Sequence, residues 1–90
     1  LLRQAADARP DLVRLDPIGK SWEGREIWCV TLTNFATGPD TEKPAVWADA
    51  NIHATEVSPT TALTYLIDRL LRGYGDDPEI TRALDTRAFY

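Results

Sequence analysis

Ninety residues make one domain or part of one, and 43% hydrophobic with 27% charged residues is the profile of a soluble globular chain, not a disordered one. A net charge of −4 excludes the basic face that nucleic acid requires, so no nucleic-acid partner is expected. No apolar run nears the roughly 18 residues of a membrane span, and the lone Cys29 excludes an intrachain disulfide.

In chain order, Leu1 to Ala8 reads as a helix ended by Pro10. Leu12 to Ile18 reads as a strand turning at Gly19, and Lys20 to Arg25 as turn chemistry. A second strand runs from Glu26 to Thr33, apolar on both faces and therefore expected to be covered on both sides, with Cys29 an inert buried thiol within it. Asn34 to Lys43 is a polar surface loop. Pro44 to Ala50 reads as a third strand, small and apolar enough to be central in a sheet. A helix then follows, with Ser58 as its cap, Pro59 in its first turn, Leu63, Leu66, Ile67, Leu70 and Leu71 as a core stripe, and Gly73 as a left-handed stop. Asp77-Pro78-Glu79 opens a shorter helix to about Leu84, and a strand begins near Arg87. This order is that of an α/β fold beginning with a β-hairpin. The first residue is not Met, no signal-peptide pattern is visible, and both ends read as cuts. The compartment stays undecided, with a lean to the cytoplasm because no leader is visible.

His53 and Glu56 fall where the third strand gives way to the helix, the place where open α/β sheets gather ligand-binding side chains. An imidazole and a carboxylate three residues apart on such a turn can face one metal ion, and zinc takes both donor types. On spacing alone the blander reading, a histidine hydrogen-bonded to a nearby acid, stays open. Asp49 shares a side with His53 by strand alternation; a structural hydrogen bond is its first reading, orientation of His53 its second. Glu23 and Arg25 read as a hairpin ion pair, and Trp22, Trp28 and Trp47 as core or semi-exposed packing residues.

The stretches Gly19 to Ile27 and Lys43 to Glu56 resemble the opening of the zinc carboxypeptidases of the carboxypeptidase A type. That family's hairpin carries Gly-Lys/Arg-Ser-x-Glu-Gly-Arg-x-Ile, and its third strand leads into His-x-x-Glu. Gly73 to Pro78 and Leu84-Asp85 resemble the family's helix–loop–helix, so the likeness spans nearly the whole chain. The resemblance implies the amino-terminal part of a mixed eight-stranded sheet flanked by helices, with residues 1–90 a partial catalytic domain truncated at both ends. It implies one Zn2+ ion with His53 and Glu56 as two of three protein ligands, and as substrate a peptide or protein C-terminus. No membrane partner is expected. No catalytic residue is expected within the chain: the third ligand, the general-base glutamate, the carboxylate-gripping arginine and the closing tyrosine would follow Tyr90. Many digestive members place Arg between the ligands where this chain has Thr55, which puts substrate preference in doubt and leaves the ligands intact. Two alternatives share the spacing: an acyl-amino-acid deacylase of the same fold, and a family member that has lost catalysis and serves as a binding module.

Overall fold

The computed structural model describes residues 1–90. After helix α1 (Leu2–Ala8), strands β1 (Val13–Lys20) and β2 (Glu26–Leu32) form an antiparallel hairpin, from Val13 opposite Leu32 to Lys20 opposite Glu26. The register slips once, between Pro17 and Gly19. Proline brings no N–H to a ladder, and β1, as the sheet's edge, accommodates that loss. At the tip, Ser21 N–H donates to the Arg25 carbonyl at 2.8 Å and Gly24 N–H to that of Ser21 at 2.9 Å. Gly24 sits at φ 78°, a backbone that a side chain would strain. The Arg25 guanidinium meets Glu23 at 2.6 Å, the expected turn ion pair.

Two short 3-10 turns (Phe35–Thr37 and Asp40–Glu42) carry the chain to β3 (Ala45–Val46). Helices α2 (Ser58–Gly73) and α3 (Pro78–Thr86) follow, and β4 (Ala88–Phe89) inserts between β2 and β3, antiparallel to the first and parallel to the second. The sheet is mixed, with order β1-β2-β4-β3. Helices and a mixed sheet make the expected α/β architecture.

One compact cluster holds the fold together. Leu12, Val13, Leu32, Leu70 and Leu84 are buried against one another, and Ala88 is fully buried as well. Each leucine so enclosed contributes about 1.5–3 kcal/mol of burial free energy. Polar anchors surround the cluster. The buried Thr33 hydroxyl lies 2.8 Å from the Arg87 carbonyl and 3.1 Å from that of Leu84, and it accepts from Lys43 Nζ at 2.9 Å. Asp40, 5% exposed, receives both terminal nitrogens of Arg14 at 3.1 Å and the Tyr90 hydroxyl at 2.9 Å. Its bonds from Arg14 hold its carboxyl below the usual carboxylate range.

Several local expectations are corrected. The third strand shrinks to two residues and forms an exposed edge of this sheet, where Pro44 to Ala50 was expected to run as a central strand. Ser58 is the first helical residue, and the cap position belongs to Val57, which makes no side-chain cap bond. Gly73 is not left-handed; that backbone occurs at Gly75, φ 86°. Gly73 serves close packing instead, since a Cβ there would stand 2.4 Å from Ile80 Cδ1. Asp77 caps α3 as expected, accepting from Glu79 N–H at 3.0 Å. Trp22 is fully exposed at the hairpin tip, because a residue beyond the last paired rung has no facing element. Ile27 and Trp28 are exposed at the amino end of β2, so both-sided cover holds only toward Leu32. Cys29 is half-buried, and that burial pushes its thiol upward, away from the reactive thiolate.

Candidate metal centre

The segment between β3 and α2 carries the site. Ala48 N–H still pairs with the Tyr90 carbonyl at 2.8 Å, extending the ladder beside β4, and the chain then leaves the sheet. At Asn51 the backbone enters the left-handed region, φ 62°, the one residue other than glycine to do so. Asparagine tolerates this conformation better than most residues. The Asn51 side-chain oxygen accepts a hydrogen bond from the Thr60 hydroxyl in the first turn of α2.

Beyond Asn51 the chain closes a turn in which Glu56 N–H donates to the His53 carbonyl at 3.0 Å. Across it His53 Nδ1 lies 3.1 Å from Glu56 Oε1. The two side chains are 73% and 52% exposed, so the pair faces solvent and is open to an ion. Glu56 stands two residues before α2, where the helix dipole favours an anion.

The donor set is chemically suited to zinc. Two donors about 2.1 Å from one tetrahedral ion stand about 3.4 Å apart, a small adjustment from the observed separation. A hydrogen bond between the bare pair needs a proton on His53 Nδ1; as ligands, both atoms must be free of it. The set is incomplete. His53 is the only histidine of the chain, and no group of three or more His, Cys, Asp or Glu side chains is gathered anywhere in it.

Other residues singled out in the sequence stand apart from this pair. Asp49 is exposed and forms a hydrogen bond neither to His53 nor to another side chain. The alternation argument fails here because regular strand ends at Val46 and Asn51 turns the backbone over. Trp47 is exposed, and Trp28 lies under the Arg3 guanidinium, 5.2 Å from its ring centre. Tyr74 and Tyr90 are committed to Asp85 and Asp40, 2.8 and 2.9 Å away. Asn51 and Thr60 are the residues that sequence reasoning passed over. A left-handed-tolerant Asn two positions before the histidine was the signal available.

Between the sheet and α2 runs a groove of about 420 Å³, lined chiefly by apolar side chains such as Val30, Trp47, Leu63, Ile67 and Phe89. Ala50 and Thr60 line it; His53 and Glu56 do not.

The sequence model of the family described as zinc carboxypeptidase matches residues 1–90. Mouse carboxypeptidase A2 is 44% identical over 78 residues, covering 86% of this chain and 17% of that protein. A zinc carboxypeptidase of Saccharothrix mutabilis subsp. capreolus is 32% identical over 89 residues, covering 99% of this chain and 20% of that one. Among solved structures, a metallo-carboxypeptidase from Burkholderia cenocepacia superposes with a TM-score of 0.75 at 28% identity, over 98% of this chain and 23% of its own. Thrombin activatable fibrinolysis inhibitor shares the fold with a TM-score of 0.86 at 24% identity, over 99% of this chain and 21% of its own. The chain belongs to the zinc carboxypeptidase family. It spans about a fifth of the length of the curated relatives it matches.

Proposed function

We propose that the chain is the amino-terminal portion of a metallocarboxypeptidase catalytic domain, in which His53 and Glu56 are two of three protein ligands of one zinc ion. The observation that carries this reading is the 3.1 Å approach of His53 Nδ1 to Glu56 Oε1 on the loop between β3 and α2, within a chain of this family. The substrate class is the carboxyl terminus of a peptide or protein. When bound, the ion supplies Lewis-acid polarisation of a carbonyl and acidifies water. The chain's own residues do the holding: His53 offers a neutral nitrogen, Glu56 an anionic oxygen, and the turn between them keeps both on one side. The third ligand and the general base come from sequence beyond these ninety residues. The carboxypeptidase names of the curated relatives support this reading over a deacylase of the same fold. No helix of the chain is long and apolar enough to cross a membrane.

Metal analysis after dialysis tests the assignment. In the intact polypeptide containing this segment, His53→Ala is expected to lose most of its zinc and its peptidase activity. Equal zinc in variant and wild type overturns it. Residues 1–90 alone are expected to show no peptidase activity and only weak zinc affinity. Sub-micromolar binding, about −8 kcal/mol or better, would mean that the ninety residues already hold a complete site.

A further inference from the structure

We infer that Asn51 and Thr60 are positioning residues that hold the His53 loop in its ligand-presenting shape; the inference rests on the reading of His53 and Glu56 as metal ligands. The loop is short and exposed from Ile52 to Val57, with no apolar packing within these ninety residues to define it. Left to itself such a loop samples many conformations, and each one that parts His53 from Glu56 is incompetent to bind. Two attachments restrict it. Its carboxyl end runs directly into α2, a rigid element. Its amino end is tied to the same helix by the Asn51–Thr60 hydrogen bond, so residues 51 to 60 form a closed ring rather than an arm extending from β3.

The left-handed backbone at Asn51 adds the direction. Continued extension from Ala48 would carry His53 onward along the strand axis. The reversal at φ 62° instead starts the turn in which His53 and Glu56 face one another. Asn51 therefore does two jobs with one residue: its backbone turns the chain and its side chain fastens the turn. Thr60 is itself held by the first turns of α2, where its carbonyl accepts from the Thr64 hydroxyl at 2.7 Å. Asn51 and Thr60 both act through the ligand pair.

The test uses the intact polypeptide, with zinc affinity from chelator competition, the visible spectrum of the cobalt(II)-substituted protein, and the unfolding midpoint of the metal-free form. Thr60→Val removes the hydroxyl at nearly constant volume, and Asn51→Gly keeps the left-handed backbone while removing the side chain. Each is expected to weaken zinc binding about tenfold, the range seen when groups supporting a ligand are lost, and to alter the cobalt spectrum. The metal-free midpoint should stay at the wild-type value, and Thr60→Ser should restore affinity and spectrum. Wild-type zinc affinity in both Thr60→Val and Asn51→Gly, or failure of Thr60→Ser to restore it, overturns the inference. His53→Ala separates the two readings. If it keeps its zinc, the ligand assignment falls; if it loses zinc while the Asn51 and Thr60 variants bind normally, only the positioning role falls.

Discussion

The two ends of the sheet are built from similar residues and end in opposite states. Where the hairpin meets α3, Leu12, Leu32, Leu84 and Ala88 are sealed, and Thr33, Lys43 and Asp40 satisfy the polar groups around them. Around β3 and the facing side of α2, by contrast, Val46, Trp47, Tyr65 and Leu66 stand exposed along or beside an open apolar groove. Hydrophobicity does not separate the regions; the number of facing elements does. The sealed end has α1, α3 and the carboxyl end of α2 folded onto it, whereas along the groove Leu2 of α1 and Thr60 to Leu70 of α2 flank the strands without closing on them. A leucine is worth its burial energy only where another element removes it from water.

Substitutions break that contrast in graded steps. Leu84→Ala should cost the most, about 3 kcal/mol, a large share of the stability of so small a chain. Leu66→Ala, the same change in the open region, should stay within about 0.5 kcal/mol. Urea midpoints compare the pair, and equal losses would show that the groove is closed in solution. Thr33→Val should follow at about 1–3 kcal/mol, because it removes the hydroxyl bridging Lys43, Leu84 and Arg87. A smaller loss than that of Leu66→Ala would remove the polar anchors from the account of the sealed end.

Asp40→Asn should cost about 1 kcal/mol at neutral pH, discounted because Arg14 is itself half exposed. Its sharper mark is the pH profile. The Asp40 carboxyl is lower in the folded state than in the unfolded chain, chiefly through its bonds from Arg14. Its contribution is therefore complete above the ordinary carboxylate value near 4 and fades as pH falls below that value toward the folded one. Thermal unfolding recorded from pH 7 to pH 3 should show a shallower acid limb in the variant than in wild type. The smallest effect is expected at the hairpin tip, where Trp22→Ser should change stability by less than about 0.5 kcal/mol. A larger loss would reveal packing that the exposed indole does not show.

Much of the fold was legible in the residues, and the legible parts share a cause. Lys20 to Arg25 and Asp77-Pro78-Glu79 carry their geometry locally, in turn-forming and capping side chains, so the hairpin and α3 form where expected. Apart from the one-residue shift of the α2 cap from Ser58 to Val57, the failures depend on what lies across from a residue. Gly73 had the composition of a helix stop, yet its reason is the Ile80 side chain seven residues on. Pro44 to Ala50 had the composition of a central strand, yet regular pairing with β4 holds only Ala45 and Val46, with single bonds at Pro44 and Ala48 beyond them. The candidate site divides the same way. His53 and Glu56 were marked by spacing, whereas the Asn51–Thr60 tie joins residues nine apart across a reversal that alternation did not foresee.

The narrowness of β4 has a kinetic consequence. The hairpin and β3 communicate through Ala88 and Phe89 and the Tyr90 amide and carbonyl, a bridge of very few hydrogen bonds. Opening that bridge would release β3 while leaving the β1–β2 ladder and most of the Leu12–Leu84 cluster closed. Amide hydrogen exchange should thus divide into two classes: slow exchange at Arg14 and Thr31, which face one another in the β1–β2 ladder and are tied to global opening, and faster, concerted exchange at Leu32, Ala48 and Tyr90, set by local detachment. The His53 loop, fastened to α2 by the Asn51–Thr60 bond, would keep its shape while the strand leading into it detaches, a bracket that stays on the fixed wall.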